Sequence, residues 1–129
     1  MSIDTGLYTV VVDDESVICS IMRRALARMG CSVCTFNSGE QVLSWLRDGN
    51  RRDLIFTDTR MPGMNGPEWL AIAHKEGLLS NTCIIIMSGA DRHIAMQAIE
   101  DGHARTFLDK PWEDRVLRAL VDQVRREKV

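Results

Sequence analysis

Five side chains in this sequence would do chemistry together if the fold gathered them: Asp13, Asp14, Asp58, Ser88 and Lys110. Each follows a short apolar run. Val10 to Val12 leads into Asp13 and Asp14, Leu54 to Phe56 leads through Thr57 into Asp58, and Cys83 to Met87 leads into Ser88. Phe107 and Leu108 lead through Asp109 into Lys110 and Pro111. Runs that are apolar without alternation suit strands covered on both faces. In a parallel sheet the carboxyl ends of such strands share one edge, which is where ligands bind in open α/β folds. Three carboxylates, a hydroxyl and an ammonium on that edge suit a divalent cation and a phosphoryl group. A lone aspartate at a strand end would be only a turn or cap residue, so the set carries the reading.

The elements that must position these groups can be read in order. Tyr8 to Val12 is a strand, and Val17, Ile18, Ile21, Met22, Ala25, Leu26 and Met29 then follow helical spacing up to a stop at Gly30. Cys31 to Phe36 is a second strand, and Ser38 with Gln41 resembles a capping box for a helix through Leu46, closed by Gly49. Asn50 to Asp53 links to the central strand ending at Asp58. Pro62, Gly63 and Gly66 break regular structure there, and Pro67 opens a helix to Lys75. Ile84 to Ile86 marks another central strand, after which Asp91 can cap a helix turning Ile94, Ala95, Ala98 and Ile99 inward before Gly102. A short strand near Thr106 to Leu108 precedes a last helix striped by Leu117, Leu120, Val121 and Val124.

Strand and helix thus alternate in five units, which predicts a doubly wound α/β (βα)5 sandwich: a five-stranded parallel sheet with helices on both faces. The expected strand order is 2-1-3-4-5. First and third strands are then neighbours, bringing Asp13 and Asp14 beside Asp58.

The 129 residues fit one domain spanning 1–129 with a single core. Sixteen basic against 18 acidic residues leave a formal charge of −2, which does not suggest direct nucleic-acid binding. No apolar run approaches the roughly 18 residues needed to span a bilayer, and Met1 to Thr9 lacks the basic start and apolar body of a signal peptide. A cytoplasmic location without membrane contact is the expectation. Cys31 and Cys34 would point to opposite faces of a strand, roughly 10 Å apart, which excludes a shared metal or a disulfide between them. Cys19, Cys83, His74, His93 and His103 are scattered without metal-ligand spacing, so structural or surface roles are expected.

Taken together, Val11-Val12-Asp13-Asp14-Glu15, Asp58-Thr-Arg-Met-Pro-Gly-Met-Asn-Gly66, Ser88-Gly89-Ala90 and Lys110-Pro111 resemble the motifs of a response-regulator receiver domain, the CheY-like phosphorylation module of two-component signalling. The resemblance covers essentially the whole chain and implies a flavodoxin-like fold. It implies Asp58 as phosphoacceptor and Mg2+ held by Asp13, Asp14, Asp58 and the Arg60 backbone carbonyl. Ser88 and Lys110 would bind phosphoryl oxygens, and Phe107 would serve with Ser88 as a switch. The implied donor is a phosphohistidine on a sensor histidine kinase or a histidine phosphotransfer protein. The implied output is a switched protein-interaction surface, and the chain would promote its own phosphorylation and dephosphorylation without being a turnover enzyme. Ser88 stands where threonine is more usual, Phe107 lacks a hydroxyl, and Thr59 replaces a common aliphatic residue. Arg60 places a long cation beside the acceptor, either solvated or shielding the phosphate from water.

Other classes fit less well. A haloacid-dehalogenase-like phosphatase also combines a strand-end aspartate, magnesium, a hydroxyl and a lysine, but its Asp-x-Asp lies on the first strand, whereas position 60 here is Arg. A flavodoxin-like electron carrier needs a Ser/Thr/Gly-rich phosphate cradle, where Asp13 and Asp14 would instead repel the flavin phosphate. A phosphorylation-independent interaction module would have no use for the intact acidic set.

Overall fold

The structure, a computed structural model, describes residues 6–128. The first five residues of the Met1 to Thr9 stretch read above therefore lie outside the described residues. Five strands, β1 (Tyr8–Val12), β2 (Ser32–Phe36), β3 (Leu54–Asp58), β4 (Cys83–Ser88) and β5 (Thr106–Asp109), alternate with α1 (Ser16–Arg28), α2 (Gly39–Arg47), α3 (Gly66–Lys75), α4 (Arg92–Glu100) and α5 (Asp114–Glu127). The sheet is parallel throughout, in the expected order β2-β1-β3-β4-β5.

β3 is buried at every position and β4 at all but its first because both faces of the sheet are covered, and their period of two divides their side chains between two layers. Val11, Phe56, Ile85 and Met87 pack toward α1 and α5, with Leu26 and Val121 among their partners. Val10, Ile55, Ile84 and Ile86 pack toward α2, α3 and α4, with Leu46, Trp69 and Ala98. Phe56 is wholly buried, and truncating it to alanine would cost about 3–5 kcal/mol.

Several local expectations need correction. Val17 and Ile21 are 68% and 49% exposed, because the buried stripe of α1 is narrower and runs through Cys19, Met22, Ala25 and Leu26. Ser38 does accept from the Gln41 N–H, but the Gln41 side chain accepts from the Asn37 N–H, so the reciprocal half of the box falls one residue early. A complete box occurs instead at α3, where Asn65 and Glu68 cap each other's N–H. Asp91 occupies the N-cap position of α4 and makes no side-chain cap bond. A cap of this kind ordinarily contributes about 1 kcal/mol, so something else holds that carboxylate.

Candidate functional site

Gly66 sits against the end of β3: a Cβ there would lie 2.1 Å from the Asp58 carbonyl oxygen, and the Gly66 N–H donates to the Thr59 carbonyl at 2.9 Å. Only glycine lets α3 begin this close to the strand. Trp69, buried in the first turns of α3, donates its Nε1–H to the Thr57 hydroxyl at 2.9 Å and braces β3 just before Asp58. Asp13 is fixed from the other side, its N–H donating to the Phe36 carbonyl at 3.0 Å and its own carbonyl accepting from Asn37 Nδ2 at 3.0 Å.

These supports bring Asp13, Asp14 and Asp58 together, with one carboxylate oxygen from each lying within 4.8 Å of the others. Asp13 is fully buried, Asp58 is 7% exposed and Asp14 faces solvent. Lys110 reaches in from the end of β5, its Nζ 2.7 Å from Asp13 Oδ2, 3.3 Å from Asp58 Oδ2 and 3.6 Å from Glu15 Oε1. The other Asp58 oxygen, Oδ1, accepts the Thr59 N–H at 2.9 Å, and Asp13 Oδ1 accepts the Glu15 N–H at 2.9 Å.

Burial, reinforced by the charge of Asp13, pushes the Asp58 carboxyl up to about 6 despite Lys110. Burial likewise raises Asp13. Lys110 is opposed by its own burial, but its bond to Asp13 and the charge of Asp58 hold its ammonium above its ordinary value. One ammonium does not balance the Asp13, Asp14 and Asp58 carboxylates, whereas a hard dication with oxygen ligands would. The donor set therefore fits magnesium.

The other expected residues divide. Ser88 is buried at the end of β4, beside the end of β3, but its hydroxyl faces Asp91 Oδ1 at 3.5 Å. Arg60 is 71% exposed along its side chain, yet it is neither free in water nor on Asp58: its Nε lies 3.0 Å from Asp91 Oδ2. Phe107 is half-buried on β5, with the Arg92 guanidinium 5.0 Å above its ring.

Asp91 is the acid that the sequence reading assigned wrongly. Buried, it accepts from the Thr59 hydroxyl at 2.6 Å as well as from Arg60. Its burial works against the charge, but the bonds from Thr59 and Arg60 leave its carboxyl below the ordinary range. Glu15, Thr57 and Trp69 were missed as supports. Only Glu15, adjacent to the acidic pair, carried a sequence signal for it.

The four cysteines are free, with Cys31 buried just ahead of β2 and Cys34 exposed within it. His74 and His103 are not scattered: their rings lie 4.9 Å apart in a cleft at the opposite edge of the sheet, brought together by α3 and the turn before β5. Among the described residues, no helix is long and apolar enough to cross a membrane.

Comparison with known proteins agrees with this geometry. The family model described as response regulator receiver domain matches residues 9–122. The chain is 37% identical over 114 residues to the DNA-binding transcriptional regulator NtrC of Klebsiella pneumoniae, covering 88% of this chain and 24% of that protein. It is 31% identical over 109 residues to the sensory/regulatory protein RpfC of Xanthomonas campestris, covering 82% of this chain and 15% of that one. The chain thus spans about a quarter or less of the length of these curated relatives. A response regulator receiver domain protein from Clostridium thermocellum superimposes with a TM-score of 0.84 at 27% identity, covering 95% of this chain and 96% of the other.

Proposed function

The chain belongs to the response regulator receiver domain family of two-component systems, and we propose that Asp58 is its phosphoacceptor, taking a phosphoryl group from a partner's phosphohistidine. The observation that carries this reading is the placement of Asp58 at the end of β3, with Lys110 Nζ 3.3 Å from one oxygen and the Asp13 and Asp14 carboxylates within 4.8 Å.

In the forward step a carboxylate oxygen of Asp58 attacks the phosphorus, and the bond from phosphorus to the imidazole nitrogen breaks. The departing nitrogen takes a proton from water, so the products are an acyl phosphate on Asp58 and a neutral imidazole on the partner. With its carboxyl at about 6, Asp58 is mostly ionised at neutral pH, so no separate base is needed. Asp13, Asp14, Asp58 and the Arg60 backbone carbonyl would hold magnesium, which when bound supplies positive charge against the phosphoryl oxygens. Lys110 pairs with one such oxygen as a point charge, and Ser88 donates its hydroxyl to another. In the return step water attacks the phosphorus, the bond to Asp58 breaks, and inorganic phosphate leaves. The chain promotes both steps on itself and is not a turnover enzyme.

The donor is a sensor histidine kinase or a histidine phosphotransfer protein. Phosphorylation draws Ser88 toward the phosphate, and Phe107 repacks behind it, altering the surface of α4, β5 and α5 that an output partner reads. A phosphate shifts that equilibrium only by binding one state better. We take residues 1–129 as one receiver domain working in the cytoplasm, without nucleic-acid contact of its own. Acetyl phosphate with magnesium should add one phosphoryl group to the protein and none after chelation of the metal. Intact mass spectrometry reads this directly, and a protein that stays unmodified, or is modified away from Asp58, overturns the reading.

A further inference from the structure

Asp91 is a carboxylate near the site with donors of its own, separate from Lys110. It follows Ser88 by three residues at the start of α4, is buried, and leaves the cap of its own helix unmade. Three donors converge on it instead: the Thr59 hydroxyl at 2.6 Å, Arg60 Nε at 3.0 Å and, more loosely, the Ser88 hydroxyl at 3.5 Å. Thr59 is also the residue whose N–H holds Asp58 Oδ1 at 2.9 Å. The acceptor strand and the first turn of α4 are therefore joined through a single side chain.

We propose that Asp91 is a resting-state acceptor that competes with a phosphoryl group on Asp58 for Ser88 and Arg60, and so positions both away from the acceptor until phosphorylation. The proposal rests on the phosphoacceptor reading and adds to it a regulator of the same site. Ser88 has one hydroxyl hydrogen and donates it to one acceptor at a time. Its contact with Asp91 is at the long limit of a hydrogen bond, so it yields readily to a charged oxygen at better distance. The Arg60 side chain is mostly in water although Asp91 is buried, so the pair is screened from the arginine's side, which also makes it exchangeable. The Thr59 bond is short and buried, so it is the part that stays and keeps Asp91 in place. As Ser88 and Arg60 leave, Asp91 loses the donors that offset its charge beside a new anion. Its backbone starts α4, so relief of that repulsion acts on the helix that the output surface includes.

Beryllofluoride with magnesium, a phosphoryl mimic, tests this without turnover. Asp91→Ala should bind beryllofluoride at least about fivefold more tightly than the wild type, the low end of ordinary coupling between two sites. In an Arg60→Ala background the gain from Asp91→Ala should shrink, because one of the contested donors is gone. A purely structural role for Asp91 would lower the melting temperature with no gain in affinity and no dependence on Arg60. Asp91→Asn, nearly the same shape, stands in if the alanine variant does not fold and should show a gain in the same direction. Unchanged or weaker binding in the folded variants, with wild-type uptake that still depends on Asp58, overturns the role of Asp91 and leaves Asp58 as the acceptor. Absence of any Asp58-dependent uptake by the wild type overturns both.

Discussion

Two groups of buried acid share one pocket and are treated in opposite ways. Asp13 and Asp58 are packed against each other with Lys110 as their common cation, and burial raises both carboxyls. Asp91, on the far side of Thr59, is held by a hydroxyl and a guanidinium, and its carboxyl ends below the ordinary range. The difference separates acids left short of positive charge, and so ready for a dication and a phosphoryl group, from an acid whose needs are met within the chain. Residue type is identical in the two places. Function follows from what the neighbouring strands bring within reach.

The comparison breaks most sharply at the acceptor. Asp58→Asn should abolish labelling by acetyl phosphate, whereas Asp91→Asn should be labelled to the same final extent as the wild type. Loss of labelling in both would mean that the two acids serve one function. Removing Lys110 is the next largest change, because it strips the partner from a fully buried Asp13. Lys110→Ala should cost about 3–5 kcal/mol of stability at neutral pH in urea denaturation, most of it recovered when Asp13→Asn is added. A cost that persists undiminished in the double variant would show that Lys110 works through packing.

Much of this arrangement was legible beforehand because it is local. Apolar runs ending in Asp13, Asp58 and Ser88 fix strand ends, and the Gly66-Pro67 step marks where a helix starts beside one of them. The two-layer division follows from alternation within runs such as Ile84 to Met87. The fate of Asp91 was not legible in the same way. As an aspartate ahead of a helix it carries a cap signature, and its shortest bonds come from Thr59 and Arg60, more than 30 residues earlier in the loop after β3. The pairing of His74 with His103 failed for the same reason. The Asn65-Glu68 box differs, since its Asn-x-x-Glu spacing stood in the sequence and was passed over.

A pH series in chelator sharpens the contrast, since the two groups of acid should act with opposite sign. Asp58 is raised from 3.8 to about 6, so between those values the folded protein binds a proton that the unfolded chain has released. Stability from this group is full below about pH 3.8 and is lost as pH rises through about 6, a change of about 3 kcal/mol. Asp91 is lowered, so its contribution is present above 3.8 and is lost as pH falls through its folded value. In the metal-free protein Asp58→Asn should therefore raise stability at pH 7 relative to wild type and leave it little changed in acid. Asp91→Asn should lower it at pH 7. Matching shifts in the two variants would erase the distinction.

The smallest effect concerns Arg60, which stands between the two groups. At rest its Nε is on Asp91, two residues along the chain from Asp58, and most of its side chain is in water. A phosphoryl group on Asp58 would add anionic oxygens near it, and a guanidinium that turns to them holds the oxygens while its bulk covers a path for attacking water. Ala90, exposed across the pocket, is too small to do the same. Arg60→Ala should then speed spontaneous loss of phosphate roughly tenfold, which corresponds to about 1.4 kcal/mol on the barrier. Because Asp91 competes for the same guanidinium, Asp91→Ala should slow that loss, and the slowing should vanish when Arg60 is also alanine. Decay of the phosphorylated protein after donor removal, in excess magnesium, measures all three variants. Decay at the wild-type rate in Arg60→Ala would show that this arginine serves Asp91 alone and leaves the phosphate unshielded.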